Sequence, residues 1–387
     1  MISEKKIGDV FKVTSGGTPS RKKQEYFKNG TIPWVKTGDL KGKYANEPKE
    51  YITELALANS SAKIFPKNTV LLAMYGATIG ACSILKIAAA TNQACGAILP
   101  SEKCDHVYLY YYLKSINKEL ISKGVGGAQP NISGGIIKST KIPLPPLDQQ
   151  KKIAAILDAA DAYRQKTKAL ITKYEELSQS LFLDMFGDPR LNEQNFEQNN
   201  LNEYLELITY GLTVRPEYID NGIRLISARE IRSGKLDLTS GPQISESDYN
   251  KLSAKGKPNR NEILFSKTGS IGHSAIIDTD VKFAITQNAA RLVFKVNVNP
   301  VFALEQLRTS YFQSLCQQRA KGNAVKDLQL GDMKKLPFIS PPIKLQNKFA
   351  DSIQTIETQK AQAQASLAQA EELFNSLLQR AFKGELV

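Results

Sequence analysis

The sequence predicts an α+β protein: two mixed, strand-rich globular units separated by two long helices that pack as an antiparallel coiled coil, with pseudo-twofold symmetry. Three observations predict this. The chain repeats itself once, a heptad-patterned segment follows an equivalent Pro-Pro pair in each half, and the excess positive charge lies outside those segments.

The repeat is clearest where Ile142-Pro143-Leu144-Pro145-Pro146 leads into Gln149-Gln150-Lys151-Lys152-Ile153-Ala154. Its counterpart is Leu336-Pro337-Phe338-Ile339-Ser340-Pro341-Pro342 leading into Gln346-Asn347-Lys348-Phe349-Ala350. From the Pro-Pro pair onward the offset is 196 residues, and it also carries Glu175-Glu176-Leu177 onto Glu371-Glu372-Leu373 and Phe186 onto Phe382. Upstream the match is looser but keeps its order. Ile32–Thr37 corresponds to Ile223–Ala228, Gly76–Gly80 to Gly269–Gly272, and Thr91-Asn92-Gln93-Ala94 to Thr286-Gln287-Asn288-Ala289. Two copies imply two equivalent units and not a solenoid. The division is a first unit at 1–147, a central helix at 148–186, a second unit at 187–342 and a C-terminal helix at 343–387.

Helices commonly start afresh after proline, and each Pro-Pro pair is followed by a long segment free of Pro and Gly. In the first, Ile153, Ala160, Thr167, Tyr174 and Leu181 recur every seven residues. Ile156, Tyr163, Leu170 and Leu177 fill the intermediate positions, and Leu157 and Ile171 broaden the stripe. In the second, Phe349, Ile356, Ala363, Ala370 and Leu377 recur likewise, with Ile353, Leu367 and Phe374 between them. A single such segment would suit an ordinary amphipathic helix packed on a domain. Two equivalent ones predict mutual antiparallel packing. The expected packing residues are Ile153, Ile156, Leu157, Leu170, Tyr174, Leu177, Phe349, Ile353, Ile356, Leu367, Phe374 and Leu377. Thirty-five residues make a rod of roughly 50 Å, long enough to hold two domains about one turn of DNA apart.

Within the units, Thr69–Met74, Ala97–Leu99, Glu262–Phe265 and Arg291–Phe294 are β-rich runs bounded by turn residues. One helix per unit follows, at 107–122 and 301–319. The loops are dense in groups that approach phosphates and base edges. Glycine amides suit phosphate, and Arg, Lys, Asn and Gln suit bases, although ordinary turn chemistry uses the same residue types. The candidate contacts in the first unit are Ser15, Gly17, Thr18, Ser20, Arg21, Lys22, Lys36, Thr37, Tyr75, Thr78, Gln93 and Gln129. In the second they are Tyr210, Thr213, Arg215, Ser227, Arg229, Lys267, Thr268, Ser270, Gln287 and Lys321.

The net charge of +13 divides as +10, 0, +3 and 0 over the four segments. Double-stranded DNA is the natural partner of such a distribution, because phosphate contacts release counterions. Other classes are poorly supported. Only His106 and His273 are available for a metal cage or a triad. There is no Gly-x-x-x-x-Gly-Lys-Ser/Thr loop, and Gly76–Gly80, lacking the lysine, reads as a strand turn. Neither Pro-Pro pair sits in an Asn/Asp-Pro-Pro-aromatic setting, and Glu4-Lys5-Lys6 has no preceding Pro-Asp. Cys82, Cys95, Cys104 and Cys316 are irregularly spaced and read as buried free thiols in a reducing compartment. No stretch reaches the ~20 apolar residues of a membrane span, and the first twenty residues lack a secretory signal.

With its two Pro-Pro elements (Pro145-Pro146…Gln150 and Pro341-Pro342…Gln346) and its Gly126-Gly127-Ala128-Gln129-Pro130-Asn131-Ile132 segment, the chain resembles the specificity subunits of type I restriction–modification systems over essentially its whole length. The second half departs from the pattern at Gly322-Asn323-Ala324-Val325-Lys326-Asp327-Leu328, which has no glutamine. The resemblance implies that each globular unit is a target recognition domain for one half of a bipartite DNA site, and that the helices set the spacer. It implies docking of two modification subunits, which methylate adenine at N6 with S-adenosylmethionine, and of two restriction subunits using ATP and Mg. The chain itself would carry no cofactor, metal or catalytic residue and would reside in a prokaryotic cytoplasm. An orphan DNA-binding or coiled-coil scaffold protein without such partners is the alternative, and a self-sufficient nuclease or methyltransferase is a more distant one.

Overall fold

The computed structural model describes residues 3–45, 47–125, 130–231 and 235–386. It divides into two compact units, one formed by Met1–Lys168 with Ser366–Val387 and the other by Ala169–Ala365. Each therefore contains a globular part and half of each long helix.

In the first unit, Val13–Ser15, Cys95–Ile98, Val70–Ala73 and Cys82–Ile84 form an antiparallel sheet in that spatial order. Val70–Ala73 is buried at all four positions because the sheet is covered on both faces. Side chains alternate along a strand. Val70 and Leu72 enter the core with the helices, while Leu71 and Ala73 enter a second core shared with Val35, Phe65 and Ala89. The second sheet runs in the order Tyr51–Ile52, Ile32–Val35, Ala89–Thr91 and Ile64–Phe65. Its central pair is parallel, with Trp34 opposite Ala90. A separate two-stranded ribbon joins Glu4–Lys6 to Lys141–Pro143.

The second unit repeats this plan. Leu205–Tyr210, Ala289–Phe294, Ile263–Ser266 and Ser274–Ile276 occupy the same order in the larger sheet. Gln243–Ile244, Ile223–Ile226 and Phe283–Ile285 form the smaller one, again with one parallel pair, Ile223–Ile226 with Phe283–Ile285. Glu197–Asn200 pairs with Pro337–Ser340. The Gly76–Gly80 segment is the expected strand turn: Gly76 and Gly80 have φ of 86° and 80°, as do their counterparts Gly269 and Gly272 at 80° and 106°.

The expected single helix per unit is two helices, His106–Ser115 with Asn117–Ser122, and Pro300–Arg308 with Ser310–Arg319. Asp105 and Asn299 cap the first of each pair by accepting the next backbone amides. In the second unit the break follows from Thr309, whose hydroxyl oxygen accepts from the Phe312 amide and caps a new helix.

The long helices span Leu147–Phe186 and Ile343–Lys383. They end at Gly187 and Gly384, which take φ of 73° and 79° that only glycine adopts without cost. Within the first unit their halves pack antiparallel. Ile153, Ala154 and Leu157 share a core with Phe374, Leu378 and Ala381, Tyr163 Oη lies 2.8 Å from Ser366 Oγ, and Lys168 pairs with Glu371 at 2.9 Å. Within the second unit Phe182 and Phe186 pack on Phe349, and Lys360 pairs with Glu175 at 3.1 Å.

The seam of the first helix differs from the expected one. Ile156, Leu170 and Leu177 are 37, 43 and 48 % exposed, as is Tyr163 at 53 %. The intermediate seam positions lie four residues after Ile153 and its heptad equivalents, at Leu157, Arg164, Ile171 and Ser178. The polar members find local contacts: Ser178 and Thr167 donate to the carbonyls four residues earlier, and the Arg164 guanidinium pairs with Asp161 and lies 4.3 Å from the Phe374 ring centroid, although its buried Nε has no hydrogen-bond partner. On the second helix Phe349, Ile353, Ile356 and Phe374 are buried, with Leu367 and Leu377 half-buried; Tyr174 on the first is half-buried as well.

A buried glutamine fixes where each long helix leaves its domain. Gln150, 1 % exposed, donates from Nε2 to Pro145 O at 2.8 Å and Lys103 O at 3.2 Å, and accepts from Asp105 N at 2.9 Å. Gln346 repeats the pattern on Pro341 O (2.7 Å), Asn297 O (3.4 Å) and Asn299 N (2.8 Å). Each ties the Pro-Pro turn to the residues that cap the domain's own helix. Substituting Gln150→Leu keeps the volume but orphans a buried donor and two acceptors. It should cost about 2–4 kcal/mol of stability in denaturant titration, against well under half that for Gln149→Leu at the half-buried neighbour.

Candidate nucleic-acid interface

The loop after the first strand is built alike in the two units. Gly16 and Gly211 lie so close to a strand of their unit's second sheet, Ala89–Thr91 or Phe283–Ile285, that a Cβ would meet Thr91 O at 2.2 Å or Ile285 O at 1.6 Å. The next residue is tied to the same strand, Gly17 N to Thr91 O at 2.9 Å and Leu212 N to Ile285 O at 2.8 Å. This close approach requires glycine and holds the loop flat on the sheet.

Gly17 is consequently not available to a phosphate. It is buried, its amide is engaged by Thr91, and its carbonyl accepts from Trp34 Nε1 at 3.2 Å. The loop's polar residues stand outward. Thr18 donates to Gln93 Oε1, joining two candidate residues, and Ser20, Arg21 and Lys22 are exposed while Ser15 is half-buried. The Arg21 guanidinium lies 4.7 Å from the Phe27 ring centroid and 5.0 Å from that of Trp34, with Nη1 2.6 Å from Glu50 Oε2. Lys36 occupies the other Glu50 oxygen. The Arg21 hydrogen bond, reinforced by Lys36, holds the Glu50 carboxyl below its ordinary range despite partial burial. Thr37 opens the turn Thr37–Asp39, half-buried. Tyr75 and Thr78 are half-buried on the strand turn, Tyr75 packing against the main core. Gln129 lies outside the described residues.

In the second unit Ser227, Arg229, Thr268 and Ser270 come together with Ala228, Gly269, Asn288 and Val325 around a cleft of about 310 Å³. Thr213, Arg215 and Gln287 are exposed; Tyr210 is 43 % exposed. Arg215 lies 4.7 Å from the Tyr218 ring centroid, so both loops carry an arginine against an aromatic ring. Lys267 is not a free cation on this face. It is 8 % exposed and its Nζ lies 2.5 Å from Asp327 Oδ1, which also accepts from Thr268 Oγ1 at 2.5 Å. Burial alone would raise the Asp327 carboxyl, yet the Lys267 and Thr268 hydrogen bonds hold it below its ordinary range. Lys321, 70 % exposed at its side chain, pairs with Asp332 at 2.9 Å.

The segment that departs from the Gly-Gly-Ala-Gln pattern is flanked by the same backbone bridge in both units. Lys321 and Asp327 form the same two-way backbone bridge as Val125 and Asn131, and Leu328 N bonds Lys267 O as Ile132 N bonds Met74 O. Lys267 and Asp327 thus stand where the first unit has Met74 and Asn131. Sequence reasoning missed Glu50, Phe27, Asn288 and Asp327. Only Asp327 left a signal, since the gain of a lysine and an acid at paired repeat positions is visible once the repeat is aligned.

The four thiols are pushed up to about 12 by burial, which leaves them unreactive. Among the described residues no group of three or more His, Cys, Asp or Glu is placed to hold a metal ion. No described helix is long and apolar enough to cross a membrane.

A family model described as the type I restriction modification DNA specificity domain matches residues 2–176 and 214–372. The specificity subunit of the type I restriction enzyme MjaIX from Methanocaldococcus jannaschii is 28 % identical over 415 residues, spanning 99 % of this chain and 93 % of that protein. The EcoR124I/EcoR124II specificity subunit of Escherichia coli is 30 % identical over 186 residues, 47 % of this chain and 46 % of its own. In fold, the crystal structure of the S subunit from M. genitalium superposes with a TM-score of 0.61 at 16 % identity, covering 99 % of this chain and 96 % of that one.

Replacing Lys267→Met should leave Asp327 with Thr268 alone and cost about 1–3 kcal/mol in urea unfolding. Adding Asp327→Asn, which installs the first unit's pair, should recover most of it; a double mutant no more stable than the single one would show the two are uncoupled. Because the folded Asp327 pKa is depressed, its contribution exists above the unfolded value of about 3.9 and disappears as pH falls through the lower folded value. The stability gap between the wild type and Asp327→Asn should therefore close in acid.

Proposed function

Since the chain belongs to the type I restriction–modification DNA specificity family, and so supplies DNA sequence recognition without being an enzyme, we propose that it reads a bipartite DNA site, one half-site per globular unit. One observation carries the proposal: the same strand order occurs twice, but with different chemistry at equivalent positions. Met74 and Asn131 become Lys267 and Asp327. Thr69 and Ala97 become Glu262 and Arg291, a buried pair with Arg291 Nε and Nη2 each 2.6 Å from a Glu262 oxygen. The exposed residues of the equivalent loops differ as well, Ser20, Arg21 and Lys22 against Thr213, Val214 and Arg215, and one framework presenting two different loop surfaces suits two different half-sites. The two target recognition domains are assigned to 1–147 and 187–342, with the helical segments 148–186 and 343–387 as spacers. The outward candidates Thr18, Ser20, Arg21, Lys22, Gln93, Thr213, Arg215, Arg229, Ser270 and Gln287 would form the contact surface.

The long helices would set the gap between half-sites and dock modification subunits, with restriction subunits joining the same assembly. S-adenosylmethionine, ATP and Mg belong to those partners. Exposed Ile156 and Tyr163 on the first unit's part of the first long helix, and Leu170 and Leu177 on the second unit's part, support partner binding in each unit.

Mapping methylated adenine in cells that express the chain with the modification subunits of its own system should reveal a split motif with a fixed gap. Methylation by the chain alone, or a continuous motif, would refute the reading. The helix pairing dictates how the gap can be altered. A heptad inserted into one helix alone would shift its seam against the other, so both helices must be lengthened, after Lys168 and after Ala365. The double insertion should lengthen the gap by about 3 base pairs at 1.5 Å per helical residue and 3.4 Å per base pair, read by the same mapping; an unchanged gap would remove the helices from spacer setting.

A further inference from the structure

We infer that Arg21 reads a guanine edge in the first unit's half-site as a pre-set fork, with Glu50 as its positioning residue, and does not serve as a phosphate contact. The inference rests on the proposed reading of the units as half-site readers and names the residue that confers specificity.

Three features of the loop lead to it. The Arg21 guanidinium lies against two aromatic rings, Phe27 and Trp34, although its side chain is 54 % exposed. A long side chain left in solvent would ordinarily lose rotamer freedom on binding DNA, and here the two rings and the Glu50 pair already restrict it. The backbone beneath is fixed too, through Gly17 and the Trp34 indole.

The second observation is the carboxylate. A phosphate anchor works as an uncompensated cation, whereas Glu50 neutralises part of the charge of Arg21 and Lys36 and would repel a phosphate. Glu50 engages Nη1. Among the described residues no acceptor is recorded on Nε or Nη2, the edge that matches the paired O6 and N7 acceptors of guanine in the major groove. Directional donors with a compensated charge favour base reading over phosphate binding. Thirdly, the equivalent loop of the second unit also carries an arginine on an aromatic ring, Arg215 on Tyr218, but there no carboxylate contact is recorded among the described residues.

The test selects duplexes from a randomised pool with the purified full-length chain, and compares the wild type with Arg21→Ala, Arg21→Lys and Glu50→Gln, measuring the salt dependence of binding in parallel. Arg21→Ala should reduce the preference for one G·C pair in one half-site by roughly 10- to 100-fold, leave the other half-site intact and leave the salt slope nearly unchanged. Arg21→Lys should fail to restore that letter, because an ammonium has no planar fork. Glu50→Gln should strengthen binding to unrelated duplex while weakening the same letter. If Arg21→Ala kept every letter, lowered all affinities together and reduced the salt slope by about one, Arg21 would be a phosphate contact and the inference would fall. Retention of the letter in Arg21→Lys would overturn it as well. A wild-type chain that selected no split motif would instead sink the half-site reading beneath it.

Discussion

Neither unit can close its core with its own globular residues, and the antiparallel pairing of the long helices follows from that. In the first unit Tyr108 and Tyr112 meet Phe382 at tilted and edge-to-face angles, and Tyr111 meets Phe374 edge-to-face, both from the end of the second long helix. In the second unit Phe302 meets Phe182 and Phe186 from the end of the first. Phe186 and Phe382 are repeat equivalents, so one aromatic position seals each core. Large aromatic burial of this kind supplies much of the driving force available to small sheets with two- to six-residue strands. The two buried glutamines then convert a non-directional hydrophobic contact into a defined exit angle, since their hydrogen bonds tolerate little rotation.

Charge is handled by a similar rule. Several of the basic residues on the loops are paired: Arg21 and Lys36 share Glu50, Lys267 holds Asp327, and Lys321 holds Asp332. A net charge of +13 favours long-range attraction of DNA, while local carboxylates compensate individual cations.

Much of the architecture was legible in the residues. The repeat announced two equivalent folds, and the Pro-Pro elements announced the helix starts. The first-helix seam was less legible for a specific reason. That helix carries apolar residues at both candidate positions, as Ile156 beside Leu157 and Leu170 beside Ile171, so periodicity alone could not choose. Elsewhere the buried choice is the polar one: Arg164 lies inside and Tyr163 outside, Ser178 inside and Leu177 outside. Hydrogen bonds to the preceding turn and a ring beneath the guanidinium make those choices tolerable, and a hydrophobicity pattern records neither. At the candidate interface the outward loops were found, but Glu50 was not, because it reaches Arg21 from 29 positions away through the pairing of Tyr51–Ile52 with Ile32–Val35.

The closure of the first unit by Phe374, Leu378 and Ala381 has a consequence for how the protein comes into being. On a ribosome the first unit's strands emerge early, yet the residues that seal their core are translated only after the strands of the second unit. The second unit, by contrast, has Phe182 and Phe186 already waiting when its strands appear. The half of the molecule that is made first is therefore finished last. Throughout elongation it presents Tyr108, Tyr111 and Tyr112 unsealed to whatever else is in the cell, so the burden of chaperoning falls on the N-terminal half.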